Sequence, residues 1–206
     1  MFYLIGGPPK CGKTTLAKKI AKKHKIPWLS TDTLHAIIRE NTKKEEIAKK
    51  FPYAIIKNKL GTGTDKVYEN NTSQEIINWY RASAKSIAKA IDTFIICEKT
   101  DGHDYVIEGL HIEPKLAHQI QKKYGRKNFK VIFLSKTDPK KFISGIQKSK
   151  THNDWILTRT KDKKTYPKIS KMICKYGKFF EREAKKYGFK VINMDDDFDK
   201  KIQKNC

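Results

Sequence analysis

The chain has 206 residues, of which 38% are hydrophobic and 33% are charged, and its formal net charge is +23. This length predicts one domain with a sizeable core, and the hydrophobic content excludes an intrinsically disordered chain. No run approaches the ~20 apolar residues of a membrane helix, and the apolar start is shorter than a signal-peptide core of roughly 7–15 residues. We therefore expect a cytoplasmic protein without a membrane partner.

The positive charge comes mainly from lysine, because only five of the 45 basic residues are arginines. Bidentate recognition of phosphate and guanine favours arginine, so nucleic acid is an alternative partner rather than the favoured one. A positive field still attracts anionic small molecules. The cysteines are scattered without zinc-site spacing, which favours a reduced environment; they are Cys11, Cys97, Cys174 and Cys206.

The first element is a short apolar strand at residues 2–5, followed by a glycine-containing loop and an amphipathic helix. Residues 7–14 match the pattern GxxxxGK[ST] between that strand and that helix, as a phosphate-binding loop requires. We expect Lys13 to reach the β- and γ-phosphate oxygens and the Thr14 hydroxyl to ligate Mg²⁺. The N-terminus of the helix adds positive potential. The motif predicts nucleotide binding.

The second strand is predicted at residues 26–30, and a helix follows it. Asp32 stands at the end of this strand, opposite the phosphate loop, where a carboxylate can take the proton of an acceptor hydroxyl. Alternatively, Asp32 or Thr31 caps the helix, and the two roles are compatible. Arg39 lies seven residues after Asp32, two turns along the same helix face.

The sequence between Arg39 and the third strand predicts a mostly helical region. A helix around residues 44–51 gives way to Pro52 and to a glycine-containing loop at 60–65. A long helix begins at residues 72–73, and its apolar positions recur with a period of 3.6 residues. These positions are Ile76, Ile77, Tyr80, Ala84, Ile87, Ala88, Ile91 and Ile95.

The third and fourth strands are predicted at residues 104–109 and 129–135, with helices opening at Pro114 and Pro139. Glu108 stands at the end of the third strand, where P-loop proteins carry their Walker B acid. Because glutamate replaces the usual aspartate, two roles stay open, contact with a metal-bound water or contact with a substrate hydroxyl. His111 is either a substrate contact or a structural histidine.

The C-terminal part predicts a polar segment at residues 149–165, a long helix, a fifth strand at 189–194 and a short closing helix. Strands that alternate with helices predict a parallel sheet covered on both faces. Ligands of such sheets bind beyond the carboxyl ends of the strands. We therefore expect the loops after the five strands to surround one site.

Four stretches resemble the small P-loop kinases related to nucleoside and nucleotide monophosphate kinases, and more narrowly the 2-phosphoglycerate kinase group. They are "GGPPKCGKTTLAKKIA", "IPWLSTDTLHAIIRE", "IINWYRASAKSIAKAID" and "YVIEGLHIEP". The resemblance implies a three-layer α/β P-loop NTPase fold with a five-stranded parallel sheet in the order 2-3-1-4-5. It also implies a single kinase domain over residues 1–206, with a helical substrate-side region at 34–95 and a lid at 149–165.

The resemblance further implies ATP and Mg²⁺ as cofactors and assigns roles to individual residues. ATP would bind to Gly7, Pro8, Pro9, Lys10, Cys11, Gly12, Lys13, Thr14 and Thr15. The residues expected to act in catalysis are Lys13, Asp32, Glu108 and the lid residue Arg159, with Lys161 as the alternative to Arg159. By the resemblance, the acceptor would face Asp32 and Arg39, and Mg²⁺ would lie beside Glu108. From the residues themselves, Arg81 and His111 are further candidate contacts of the acceptor, and Thr14 is the other expected neighbour of Mg²⁺.

The leading hypothesis is an ATP-dependent phosphotransferase acting on a hydroxyl of a small anionic metabolite, with a 2-phosphoglycerate-like acceptor as one option. The protein would be a monomer or a homodimer. The alternatives are a nucleotide or polynucleotide 5′-hydroxyl kinase, a zeta-toxin-like nucleotide-sugar kinase, and a non-enzymatic nucleotide switch. Salt-dependent oligonucleotide binding would favour the polynucleotide version, and ATP hydrolysis insensitive to any acceptor would favour the switch.

Overall fold

A parallel β-sheet forms the centre of the protein in the computed structural model, which describes residues 1–60, 63–147 and 154–206. The strands are β1 (Phe2–Gly6), β2 (Trp28–Ser30), β3 (Tyr105–Glu108), β4 (Phe129–Ser135) and β5 (Lys190–Asn193). The helices of the N-terminal half are α1 (Lys13–His24), α2 (Thr31–Glu40), α3 (Lys44–Lys50), α4 (Pro52–Leu60), α5 (Asp65–Asn70) and α6 (Ser73–Thr100). Those of the C-terminal half are α7 (Pro114–Tyr124), α8 (Pro139–Gln147), α9 (Trp155–Arg159), α10 (Thr165–Lys186) and α11 (Phe198–Lys204), with a 3₁₀ turn at Arg126–Asn128.

The five strands follow the order β2-β3-β1-β4-β5, and all neighbouring pairs are parallel. This is the predicted order 2-3-1-4-5, so the α/β fold prediction is confirmed. The register sets Ile5 of β1 and Ser30 of β2 on either side of Glu108 of β3. Parallel strands end at the same edge of a sheet, so the loops after β1, β2 and β3 meet there.

Apolar side chains cover both faces of the sheet, which gives the three layers of the fold. Along β1, Phe2 and Leu4 pack into the larger core together with α6, α7 and α10. Tyr3 and Ile5 point to the opposite face and pack against α1, with Ile202 of α11 beside them. This alternation is what a period-2 strand buried on both faces requires.

The helical region between β2 and β3 differs from the sequence prediction in its middle part. Pro52 opens α4 instead of ending helical structure, because proline at the first helical position loses no backbone hydrogen bond. A further short helix, α5, follows the predicted glycine loop, of which residues 61–62 lie outside the described residues. The predicted start of the long helix is confirmed, since Thr72 and Glu75 form a capping box at the start of α6.

The polar segment predicted as a lid at residues 149–165 is only partly covered by the structure. Its residues 149–153 lie outside the described ranges. The remainder contains α9, whose N-cap is Asp154. Along the described parts of the chain, no helix has the length and apolar character needed to cross a membrane.

Helix α10 passes close to the chain that leaves β4, and two glycines there have different surroundings. A Cβ at Gly177 of α10 would lie 2.1 Å from the backbone carbonyl oxygen of Lys136. A Cβ at Gly145 of α8 would find the flexible Lys136 side-chain nitrogen 3.6 Å away as its nearest neighbour. Close packing therefore requires glycine at position 177, whereas position 145 has room for a methyl group.

We predict opposite effects on stability for alanine at these two helical positions. Gly177→Ala should destabilise the protein by about 1–3 kcal/mol, because the backbone must move to relieve the overlap. Gly145→Ala should stabilise it by about 0.5–1 kcal/mol, because alanine is the better helix former. Urea denaturation of both variants measures the two free energies of unfolding. A Gly177→Ala variant as stable as Gly145→Ala would contradict the packing described.

Candidate active site

The loop between β1 and α1 makes a tight curl. Three of its residues, Gly7, Lys10 and Gly12, have φ angles of 143°, 62° and 96°. Such left-handed values are reached easily by glycine, which permits the tight curl. The ammonium group of the buried Lys13 turns back over the loop and donates to the carbonyl oxygen of Pro8 at 2.7 Å. The loop thus places a buried cation at the N-terminus of α1, as an anion site requires.

Cys11 packs inside this loop and has a structural explanation. Its thiol donates to the same Pro8 carbonyl oxygen at 3.0 Å, and its side chain is fully buried. Burial raises the pKa of the Cys11 thiol, although the nearby Lys13 ammonium opposes the shift. A buried, protonated thiol is a small packing group rather than a nucleophile.

The end of β3 contacts the start of α1 through a hydrogen bond between side chains. The Thr14 hydroxyl donates to the Glu108 carboxylate at 2.8 Å, and Glu108 is only 3% exposed. Burial raises the pKa of Glu108, while the Lys13 ammonium and the Thr14 hydrogen bond act in the opposite direction. The two residues predicted to lie beside Mg²⁺ are therefore neighbours, although they come from distant parts of the sequence.

The oxygen atoms of Thr14 and Glu108 fit a hard divalent cation. Within the described ranges, no group of three or more His, Cys, Asp and Glu side chains could hold a metal ion. Mg²⁺ usually keeps several waters and shares substrate phosphates, so one hydroxyl and one carboxylate form a sufficient protein contribution.

Asp32 lies in the first turn of α2, and its carboxylate is not the helix cap. The N-cap is Ser30, whose hydroxyl oxygen accepts from the Asp32 backbone N–H at 3.3 Å. The Asp32 side chain is 72% exposed and reaches within 3.7 Å of Nδ1 of His111. The capping alternative for Asp32 and Thr31 is therefore wrong, and the Asp32 carboxylate faces the open side of the site.

A buried histidine joins the loops that follow β2 and β3. The Thr31 hydroxyl lies 2.9 Å from Nδ1 of His111, and the His35 ring stacks on the His111 ring with centroids 5.1 Å apart. Gly109, with a φ of 153°, lets Thr31 approach, because a Cβ there would lie 1.7 Å from the Thr31 hydroxyl oxygen. Burial lowers the pKa of His111 to about 3, so its imidazole is neutral at physiological pH.

A cavity of about 520 Å³ opens beside Asp32. Its charged lining residues are Asp32, Arg39 and Arg159, and the neutral His111 also contributes. Aromatic rings of three further residues complete much of the wall, those of Tyr53, Tyr80 and Trp155. The structure thus brings four predicted site residues, Asp32, Arg39, His111 and Arg159, together in one cavity.

Sequence reasoning missed the aromatic wall. Tyr80 falls on the apolar stripe of α6 and was assigned to the core, and Tyr53 lies on a helix that the sequence did not predict. Burial raises the pKa values of both phenols, and the Tyr53 and Tyr68 phenols raise that of Tyr80 further. No pattern along the chain signals that these hydroxyls converge, because the contact depends on how α4, α5 and α6 pack.

The structure places Arg81 elsewhere. Its Nε donates to the Glu113 carboxylate at 3.0 Å, and its guanidinium lies 4.4 Å from the centroid of the Phe179 ring. Arg81 is not among the described residues that line the cavity. Lys161, the alternative to Arg159, is also outside that lining, and its backbone N–H donates to the Asp65 carboxylate at 2.9 Å.

Comparisons with known proteins find a family match to the N-terminal part of the chain and similar folds for the whole chain. The sequence model of a family described as "ATPase family associated with various cellular activities (AAA)" matches residues 3–93, which include the phosphate loop and Asp32. No curated protein sequence matches the chain.

Two solved structures resemble the whole chain in fold. A gluconokinase from Sinorhizobium meliloti 1021 has a TM-score of 0.50 at 11% identity and covers 98% of this chain and 87% of its own. Shikimate kinase from Bacteroides thetaiotaomicron has a TM-score of 0.51 at 15% identity and covers 99% of this chain and 95% of its own. Together with the sheet order, these similarities show that the chain shares the three-layer α/β fold of these two proteins.

We predict that His111 makes the protein sensitive to acid. The unfolded chain binds a proton near the usual histidine pKa of 6.5, whereas the folded imidazole stays neutral down to about pH 3. Stability should therefore fall as the pH decreases from 6.5 toward 3, with a contribution of at most about 1.4 kcal/mol per pH unit. His111→Asn, which can keep the contact with Thr31, should remove that contribution.

Urea denaturation of both proteins between pH 4.5 and 8 measures the effect. The difference between their free energies of unfolding should change below pH 6.5 and stay constant above pH 7.5, which serves as the internal control. A constant difference over the whole range would show that His111 titrates alike in both states.

Proposed function

We propose that this chain is an ATP-dependent phosphotransferase that moves the γ-phosphate of ATP to a hydroxyl group of a small anionic metabolite. The observation that supports the proposal most is the position of Asp32. Its carboxylate lines the cavity of about 520 Å³. Asp32 closely follows Ser30 of β2, which pairs with Glu108 of β3, and Glu108 accepts a hydrogen bond from Thr14 of the phosphate loop. A base between a triphosphate site and a small-molecule cavity is what phosphoryl transfer to an alcohol needs.

The loop residues Gly7–Gly12 and the Lys13 ammonium bind the phosphates of ATP in this proposal. Backbone N–H groups of a curled loop and a helix N-terminus attract anions, and the buried cation adds to that attraction. Thr14 and Glu108 would hold Mg²⁺, which would neutralise charge on the phosphate oxygens. Glu108 would then be ionised, since a bound cation would offset the effect of burial on its pKa.

Asp32 takes the proton of the acceptor hydroxyl. The acceptor oxygen then forms the new bond to the γ-phosphorus, and the bond between that phosphorus and the bridging oxygen of ADP breaks. Lys13 stabilises the charge that develops on the transferred group. The Nδ1 atom of His111 lies 2.9 Å from the Thr31 hydroxyl and 3.7 Å from the Asp32 carboxylate, and the imidazole is neutral, so it adds no positive charge beside Asp32.

The acceptor carries a phosphate or carboxylate group. Arg39 and Arg159 both line the cavity, and guanidinium groups bind such anions in a bidentate manner. A 2-phosphoglycerate-like acceptor satisfies this requirement, and its size is well within the cavity volume. The two structural neighbours are named as kinases, and we extend to this chain only that type of reaction.

A nucleotide switch without an acceptor is the weaker alternative. A switch needs the phosphate loop, Thr14 and Glu108, but it has no use for Asp32 at the mouth of a cavity with two arginines. The features beyond the phosphate loop therefore favour a transferase.

We predict that Asp32→Asn abolishes phosphoryl transfer and leaves ATP binding unchanged. The amide cannot accept the hydroxyl proton, so turnover should fall by about 10²–10⁴-fold. Transfer is measured as incorporation of labelled γ-phosphate into a metabolite mixture, and ATP affinity is measured by calorimetry. Asp101→Asn is the matched control, since Asp101 follows α6 near the opposite edge of the sheet. Full turnover by the Asp32→Asn variant would exclude Asp32 as the base.

A further inference from the structure

An ion pair joins the phosphate loop to the segment that follows α8. The Lys10 ammonium lies 2.7 Å from Oδ2 of Asp154, and these side chains are 17% and 2% exposed. Lys10 is one of three non-glycine residues with positive φ in the described part of the chain. A left-handed backbone favours glycine, and other residues are kept there when the surrounding structure holds them.

The same carboxylate also organises α9. Oδ1 of Asp154 accepts from the Ile156 backbone N–H at 3.0 Å, which makes Asp154 the N-cap of the helix. The Asp154 carbonyl oxygen accepts from the Thr158 backbone N–H at 2.8 Å. One buried side chain therefore connects the phosphate loop with the first turn of α9.

The C-terminal end of α9 is hydrogen-bonded to the start of α5 and the residue before it. The Arg159 carbonyl oxygen accepts from the Thr64 backbone N–H at 2.9 Å. Just beyond the helix, the backbone N–H of Lys161 donates to the carboxylate of Asp65, the first residue of α5. Helix α9 thus bridges the phosphate loop and the helical region, and its residues Trp155 and Arg159 line the cavity.

We propose that Lys10 and Asp154 are positioning residues, whose ion pair fixes α9 so that Arg159 and Trp155 form a wall of the acceptor cavity. The loop that binds the nucleotide phosphates then also sets the geometry of the acceptor site. The roles of the acceptor and the nucleotide rest on the proposed function, whereas the contact between the loop and α9 does not.

The burial of the ion pair between Lys10 and Asp154 distinguishes it from exposed ion pairs of the protein. Removing one partner of a buried pair leaves an uncompensated charge and is strongly destabilising. Removing an exposed pair has little effect. The pair between Lys123 and Asp92 is equally short, at 2.6 Å, but its side chains are 56% and 30% exposed. Lys123→Ala is therefore a matched control.

Two substitutions separate the ion pair from the local backbone structure. Lys10→Gly removes the ammonium group and suits the positive φ, so the loop keeps its conformation. Asp154→Asn removes the charge and keeps a good N-cap, so α9 keeps its first hydrogen bond. Because each variant spares one side of the link, an effect common to both comes from the ion pair.

The first experiment measures hydrogen exchange of the α9 backbone amides, residues 156–160, in the full-length protein without ligand. Lys10→Gly and Asp154→Asn should each exchange about tenfold faster or more than the wild type, because α9 opens locally more often. The double variant should exchange no faster than the faster single variant, because both substitutions break the same interaction. Lys123→Ala should match the wild type. Unchanged exchange in Lys10→Gly, or additive effects in the double variant, would overturn the proposal.

The second experiment uses the acceptor that a phosphorylation screen identifies. Asp154→Asn, which leaves the phosphate loop intact, should raise the KM for this acceptor by about tenfold, since Arg159 is no longer held in place, and should change ATP affinity by less than about threefold. Equal losses of ATP and acceptor binding would overturn the positioning role. If exchange responds as expected but no acceptor is phosphorylated even by the wild type, the ion pair stands and the proposed function fails. If the wild type phosphorylates an acceptor but the variants do not change hydrogen exchange, the proposed function stands and the link between the loop and α9 is refuted.

Discussion

The parallel pairing of β3 with both β1 and β2 is the constraint on which the site depends. It sets Ile5 and Ser30 beside Glu108, so the phosphate loop, the Asp32 turn and the buried acid leave the sheet at one edge. The hydrogen bond from Thr14 to Glu108 then fixes α1 against that edge. Without this register, Thr14 and Glu108, which are 94 positions apart in the sequence, would not meet. The phosphate loop would then have no carboxylate beside it.

Burial controls the protonation of the groups around this edge. It raises the pKa values of Cys11 and Glu108 and lowers that of His111, so each is driven toward its neutral form. The charges that remain are the buried Lys13 ammonium and the charged groups that line the cavity. The charge at the site is therefore set by local packing, although the whole chain carries a net charge of +23.

Local sequence patterns predicted the sheet and one half of the site, because strands, the phosphate loop and the acids at strand ends all depend on short-range periodicity and spacing. They did not predict α4, since a proline that follows a helix is also typical of the end of helical structure, whereas Pro52 begins the next helix. The aromatic wall and the link between Lys10 and Asp154 were also missed. These contacts join elements distant in sequence, so no spacing within the chain could reveal them. Arg81 was expected at the substrate but pairs with Glu113, because the packing of α6 and α10 turns it away.

In the function that we propose, the phosphate loop and the cavity form one transfer site, with a metabolite and not water as the final acceptor. The most direct test incubates the protein with γ-labelled ATP, Mg²⁺ and a pool of small metabolites, and follows the label by mass spectrometry. 2-Phosphoglycerate and RNA oligonucleotides serve as defined acceptors in parallel. We expect a new phosphorylated small molecule that carries the label and an anionic group. Label found only in inorganic phosphate, whatever acceptor is added, would contradict it.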